Sequence, residues 1–137
     1  MRNMSFSLTT PQMKAGTKTV TRRLGWSFLK EGDLVMAVEK CQGLKKGEKV
    51  KKIGIIEILR IRCETLDDIT HGDVVLEGFP EMTTEEFISM FCKANKCDRS
   101  TLVNRIEFRH YAYSGRAYHD NDHAIRGSMT NEMIVDA

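Results

Sequence analysis

No long apolar run occurs anywhere in this chain of 137 residues. No window approaches the roughly 18–20 apolar residues that a membrane-spanning helix needs. The opening stretch, Met1-Arg2-Asn3-Met4-Ser5-Phe6-Ser7-Leu8, lacks the apolar core and small-residue cleavage site of a secretory leader, so the cytoplasm is the expected compartment. There is no internal repeat and no low-complexity tract, which excludes solenoid and linker-rich organisation. Cysteine is limited to four residues, at 41, 63, 92 and 97, and without a secretion signal they are expected as reduced thiols. Cys92 and Cys97 flank four residues with no second pair nearby, a spacing that argues against zinc. Net charge is low, at +2.

What is present is a globular composition. Hydrophobic residues make up 41% and charged residues 29%, enough for a packed core and too apolar for global disorder. The small net charge hides a segregation. Residues 1–62 carry 14 basic and 5 acidic side chains, 63–98 carry 2 and 9, and 99–137 balance at 5 and 5. A basic first half suits a phosphate-bearing partner, although on charge alone a solvated face is the better reading.

The chain divides by local pattern into short elements. Thr9-Thr10-Pro11 opens a short helix that Gly16 stops. Lys18–Arg23 alternates with β-branched residues and predicts a strand. Gly32-Asp33 is a turn before the buried strand Leu34–Val38. A basic loop over 43–49 leads into a long β segment, Val50–Ile61, in which Gly54 suggests a bulge or bend. Thr65-Leu66-Asp67-Asp68 and Thr70-His71-Gly72-Asp73 both look like helix starts. Thr83-Thr84-Glu85-Glu86 is a stronger cap before the apolar stripe Phe87, Met90, Phe91, which reads as core. Val103–Arg109 alternates and closes the sheet. Residues 1–113 thus form one α+β domain, a small β-barrel with short flanking helices. Residues 114–137 read as a poorly ordered polar tail. Within that tail Tyr118-His119-Asp120-Asn121-Asp122-His123 is expected to be solvated rather than metal-binding.

The segment Gly16-Thr17-Lys18-Thr19-Val20-Thr21-Arg22-Arg23-Leu24 resembles the signature of the ASCH domain family, a branch of the PUA-like superfamily. Later pieces fall in matching order: Gly32-Asp33, Glu77-Gly78-Phe79, Glu86-Phe87 and Arg105-Ile106-Glu107-Phe108. The resemblance covers about residues 5–111 and implies a PUA-like barrel. One branch that it resembles comprises amidohydrolases that deacetylate acetylcytidine with a Thr-Lys-Glu set. Carried over residue by residue, that set implies Lys18 and Thr21, with Glu77 as the acid. Other members are described as RNA-binding, and ribonuclease activity is ascribed to some, so the resemblance leaves the reaction open.

The implied residues suit amide hydrolysis. An amide needs a nucleophile, a base and a partner for the developing oxyanion. A desolvated Lys18 is suited to take a proton from Thr21 or from water. Glu77 would orient Lys18 or donate to the leaving amine. Arg22 or Arg23 would hold an oxyanion or phosphate, and Trp26 is a candidate for stacking on a base, although a lone tryptophan is more often core. Lys18 and Thr21 lie an odd number of positions apart, so they share a pocket only if the strand bends or begins between them. Lys45, Lys46, Lys49, Lys51 and Lys52 form a candidate clamp for a nucleic-acid backbone. No cofactor and no metal are expected. The expected partner is a modified nucleoside or RNA, with no membrane.

Overall fold

The longest element sets the architecture. The computed structural model describes residues 1–111 and the two-residue strand Thr130–Asn131. In chain order the elements are β1 (Arg2–Ser5), α1 (Thr10–Ala15), β2 (Val20–Arg23), β3 (Leu34–Val38) and β4 (Lys52–Thr65). A 3-10 turn (Leu66–Asp68), α2 (His71–Leu76), α3 (Thr84–Asn95), β5 (Leu102–Tyr111) and β6 (Thr130–Asn131) follow. The strand order is β2-β5-β4-β3-β1-β6, with β1 parallel to β3 and to β6 and the other pairs antiparallel. The five strands before residue 112 form a curled mixed sheet, a half-barrel of α+β class. The expected tail, including the His-Asp cluster at 118–123, lies outside the described residues apart from β6.

β4 runs 14 residues, and two irregularities bend it. The first sets Ala37 against Gly54 and Val38 against Lys52, leaving Ile53 as an extra residue beside the glycine singled out above. The second pairs Ile58 with Phe108 and Arg60 with Glu107, leaving Leu59 extra. An extra residue shifts the alternation of side chains by one. Ile56 and Ile58 before it, and Ile61 after it, therefore all pack with Ile106 and Phe108. The same shift sends Arg60, Arg62 and Glu64 to the other face.

The two faces carry separate cores. The concave face buries Met4, Phe6, Met13, Trp26, Leu29, Val35 and Ala37 with the isoleucines of β4. The convex face is covered by helices, with Phe87, Ile88 and Phe91 of α3 packing on Val74 of α2 and Val103 of β5. Thr83 begins α3 with a reciprocal capping box to Glu86, as its sequence predicts. Phe87 is fully buried, so Phe87→Ala is worth about 3–5 kcal/mol.

Local expectations differ from the structure in three places. β2 begins at Val20, two residues later than the alternation suggests, because the Thr19 N–H bonds to the Leu76 carbonyl at 2.9 Å instead of to a strand. β4 begins at Lys52 and continues to Thr65, past the predicted end at Ile61, because β5 extends to pair with it there. β1 has no clear mark in the sequence. Its four residues have a weak alternation and are held by β3, which is distant in the chain.

Candidate functional site

The linker between α1 and β2 carries Lys18, and it is positioned from three sides. Gly16 closes α1 in the left-handed conformation, at φ 77°. Thr19 is held by Leu76 at the end of α2, and its carbonyl accepts from Phe108 N–H at 3.0 Å. The ring of His110 lies 2.8 Å from the Lys18 carbonyl through Nε2. Burial pushes the His110 imidazole below its ordinary range, so the ring is held neutral near pH 7.

Lys18 and Glu77 are both fully buried. Lys18 Nζ donates to Glu77 Oε1 at 2.7 Å and to the Glu77 carbonyl at 2.8 Å. Arg22 Nη1 donates to the other carboxylate oxygen of Glu77 at 3.1 Å. The same guanidinium reaches Glu64 and Asp73, each at 2.6 Å through Nη2. Asp73 in turn takes a fork from Arg105, at 2.6 Å from Nε and 3.0 Å from Nη2. β2 and β5 align Arg22 opposite Arg105, which explains why two arginines converge on one aspartate. Chiefly through the Arg105 bonds, the Asp73 carboxyl is lowered from 3.8 to about 2. Burial opposes the charge on Arg22, but Glu77, Asp73 and Glu64 outweigh it and hold the guanidinium firmly protonated.

Thr21 lies on the opposite face of β2 from Arg22, across from Ile106 of the concave core. Its hydroxyl accepts from Arg23 Nε at 3.1 Å. Arg23 also donates to the Ser5 carbonyl at 2.7 Å, and its guanidinium covers the Phe6 ring at 4.7 Å. The linker and edge strand therefore gather Lys18, Arg22 and Glu77 in one bonded group and Thr21 with Arg23 in another. β2 does begin between Lys18 and Thr21.

Gly78 fixes the approach of Glu77. Its φ is 106°, and a Cβ there would stand 2.9 Å from Gln12 Cγ and 3.5 Å from Lys18 Cβ. Gln12 Nε2 donates to the Gly78 carbonyl at 3.1 Å, tying α1 to the residue after the acid.

Trp26 is 1% exposed and belongs to the concave core, beside Phe28 at a ring separation of 5.3 Å. Its φ is 72°, a left-handed conformation that is costly for a bulky residue. Its indole N–H has no hydrogen-bond partner among the described residues. The five lysines at 45, 46, 49, 51 and 52 are all exposed. Lys49 and Lys51 line a cleft of about 310 Å³ with Lys40, Glu39, Glu48 and Thr10.

Sequence reasoning missed Asp73, Glu64, Gln12, His110 and the role of Arg105. Arg105 stood within the strand motif, but only the register with Arg22 gives it a partner. Among the described residues no group of three or more His, Cys, Asp or Glu side chains is placed to hold a metal ion. No helix among them is long and apolar enough to cross a membrane.

A curled mixed sheet with α2 and α3 on one face, α1 against the other and a glycine-closed linker on its edge strand defines a small PUA-like half-barrel. Comparison with solved structures narrows this to an ASCH-like fold. The ASCH domain from Lactobacillus crispatus JV V101 is similar at a TM-score of 0.52 and 16% identity, covering 80% of this chain and 78% of that one. A protein of the DUF984 family model from Enterococcus faecalis V583 is similar at a TM-score of 0.56 and 13% identity, covering 80% and 78%. A third structure, a hypothetical protein, is similar at a TM-score of 0.50 and 18% identity, covering 80% and 96%. No family model and no curated protein matches the chain.

Proposed function

We propose that the protein hydrolyses the amide of an acylated cytidine or a related modified nucleoside, with Lys18 and Glu77 as its acid–base pair and Thr21, held separately by Arg23, as the candidate nucleophile. The observation that carries this reading is the fully buried Lys18–Glu77 pair at 2.7 Å, on the linker to the strand that bears Thr21. Buried charges are costly, so a fully buried, hydrogen-bonded pair supports a functional reading beside the structural one.

In the proposed reaction an oxygen nucleophile adds to the acyl carbonyl. Its proton passes to the Lys18–Glu77 pair. The C–N bond then breaks, and the pair returns the proton to the departing amine. With water as the nucleophile the products are the free nucleoside and a carboxylic acid. With Thr21 as the nucleophile the acyl group stays on its oxygen as an ester until a water, deprotonated by the same pair, hydrolyses it to the acid and frees Thr21. Arg22 holds Glu77 from the side away from Lys18, so the carboxylate cannot rotate off the amine. Arg23 donates to the Thr21 hydroxyl, which favours an alkoxide if Thr21 itself attacks. Trapping an acyl-enzyme on Thr21 distinguishes that route from direct attack by water.

A second reading, an RNA-binding module without catalysis, draws on the exposed lysines and the cleft that Lys49 and Lys51 line. Incubation with a panel of acylated nucleosides and with labelled RNA, followed by product analysis, separates the two. Release of acid from a nucleoside that stops in Lys18→Ala supports hydrolysis. Retention of intact RNA without turnover of any nucleoside supports the binding module. Cleaved RNA would favour a ribonuclease over both.

A further inference from the structure

Two of the four cysteines stand together at the end of α3, away from the site described above. The helix ends at Asn95, and Lys96 follows in the left-handed conformation at φ 53°. The Cys97 N–H then bonds back to the Cys92 carbonyl at 3.2 Å. This six-to-one closure is a Schellman motif, which sets the side chains of the first and last residues side by side. In many such motifs those positions hold a hydrophobic contact. Here both are thiols, both are partly exposed, and both pack against the core under α3.

We propose that Cys92 and Cys97 form a dithiol–disulfide site that closes by exchange with a low-molecular-weight disulfide of the glutathione class. The chain two residues beyond the pair is already tied down. Arg99 forks onto Asp67 at 2.8 Å and onto Glu85 at 2.6 Å, so the chain beyond Cys97 is anchored to the 3-10 turn and to the first turn of α3. Cys97 is thereby held against Cys92 without the search that a flexible loop would require. Burial and the neighbouring Cys97 push the Cys92 thiol up, which disfavours Cys92 as the first attacking thiolate.

The chemistry balances as follows. The Cys97 thiolate attacks one sulfur of the glutathione disulfide, the reagent's S–S bond breaks, and one glutathione leaves as a thiolate. The Cys92 thiol loses its proton to solvent and attacks the Cys97 sulfur, and the second glutathione leaves. Two protein thiols are oxidised, and one reagent disulfide is reduced to two thiols. The two other cysteines serve as controls, because Cys41 is buried and Cys63 is exposed on β4.

The test equilibrates the full chain in glutathione buffers of stepped redox ratio, quenches with acid, alkylates and maps the labelled cysteines by mass spectrometry. The expected result is joint protection of Cys92 and Cys97 at one midpoint, with a mass lower by two hydrogens and Cys63 still alkylated. Cys92→Ser should accumulate glutathione on Cys97, and Cys97→Ser should leave Cys92 free. Circular dichroism of both variants checks that α3 persists. Since the wild-type measurement needs no substitution, a misfolded variant does not remove the test. Independent midpoints for the two cysteines, a lasting mixed disulfide on wild-type Cys97, or two free thiols in fully oxidised buffer would each overturn the proposal.

Discussion

Arg23 on β2 donates to the main-chain oxygen of Ser5 on β1 at 2.7 Å, joining the first strand of the five-strand order to the last. A flat sheet would hold these strands apart, so the bond is a direct consequence of the curl. The same guanidinium secures the Thr21 hydroxyl and covers Phe6. One buried side chain therefore links the closure of the half-barrel to a proposed working group.

Replacing Arg23 with Lys should uncouple those two tasks. An ammonium cannot reproduce a planar fork that serves Thr21 through one nitrogen and Ser5 through another. A buried hydrogen bond from a charged group is worth about 1.5–3 kcal/mol. The Arg23→Lys variant should lose roughly that much in urea unfolding at unchanged slope. A loss below about 0.5 kcal/mol would mean that Arg23 does not close the curl.

Acid should destabilise the protein in two windows, for two different reasons. The His110 imidazole is held below its ordinary range, so the unfolded chain binds a proton there that the folded chain resists. Stability from this group is present above about 6.5 and falls as pH drops through that region. The Asp73 carboxyl is lowered from 3.8 to about 2, so its contribution is present above 3.8 and is lost on further acidification towards 2. That shift corresponds to about 2 kcal/mol, since Asp73 is largely shielded by Arg22 and Arg105. Melting temperature against pH should show both steps. Asp73→Asn should shrink the lower one, to which the lowered Glu64 carboxyl also contributes, and leave the upper; an undiminished lower step in that variant would assign it to other carboxyls.

Gly78→Ala should damage the site more than the fold. The substitution places a Cβ 2.9 Å from Gln12 Cγ and asks alanine to adopt a φ of 106°. Strain of this kind costs about 1–3 kcal/mol, and it falls on Gln12 and on the backbone beside Glu77. We expect a folded protein with a lowered melting temperature and at least about 10²-fold slower nucleoside hydrolysis, in line with the loss of a positioned acid–base group. Full activity in a folded Gly78→Ala would dissociate the Glu77 position from the chemistry.

The legible and illegible parts of this sequence divide along the reach of each signal. The Thr83 cap, the Gly16 stop and the core stripe at Phe87 and Phe91 are decided within one or two turns of chain, and they stand where the residues imply. Gly54 marks a bend for the same reason. The Leu59 bulge has no local mark, because nothing in Ile58-Leu59-Arg60 shows that β5 will skip a residue. That skip nevertheless delivers Glu64 to Arg22. Glu77 and Lys18 stand out only through a resemblance, since 58 residues separate them and no periodicity connects a linker to a helix end. Asp73 and Arg105 carry no local mark, because their meaning depends on the register of β2 with β5.

The basic loop decides between a small-molecule enzyme and an RNA binder. Lys45, Lys46, Lys49, Lys51 and Lys52 are exposed, and Lys49 and Lys51 face a common cleft with Lys40. If the protein grips a single-stranded RNA backbone there, the logarithm of its affinity should fall with the logarithm of salt by about 0.7 per phosphate contacted. Lys49→Gln with Lys51→Gln should then flatten that slope by roughly one to two units. Lys45→Gln with Lys46→Gln, outside the cleft lining, should flatten it less. A free nucleoside carries no phosphate, so its turnover should not respond to either pair and should stop with Lys18→Ala. RNA affinity that ignores both salt and the double variants would remove the loop from the interface. Nucleoside turnover that falls with Lys49 and Lys51 would instead place the substrate in the lysine cleft, and Lys18 would revert to an ordinary buried ion pair.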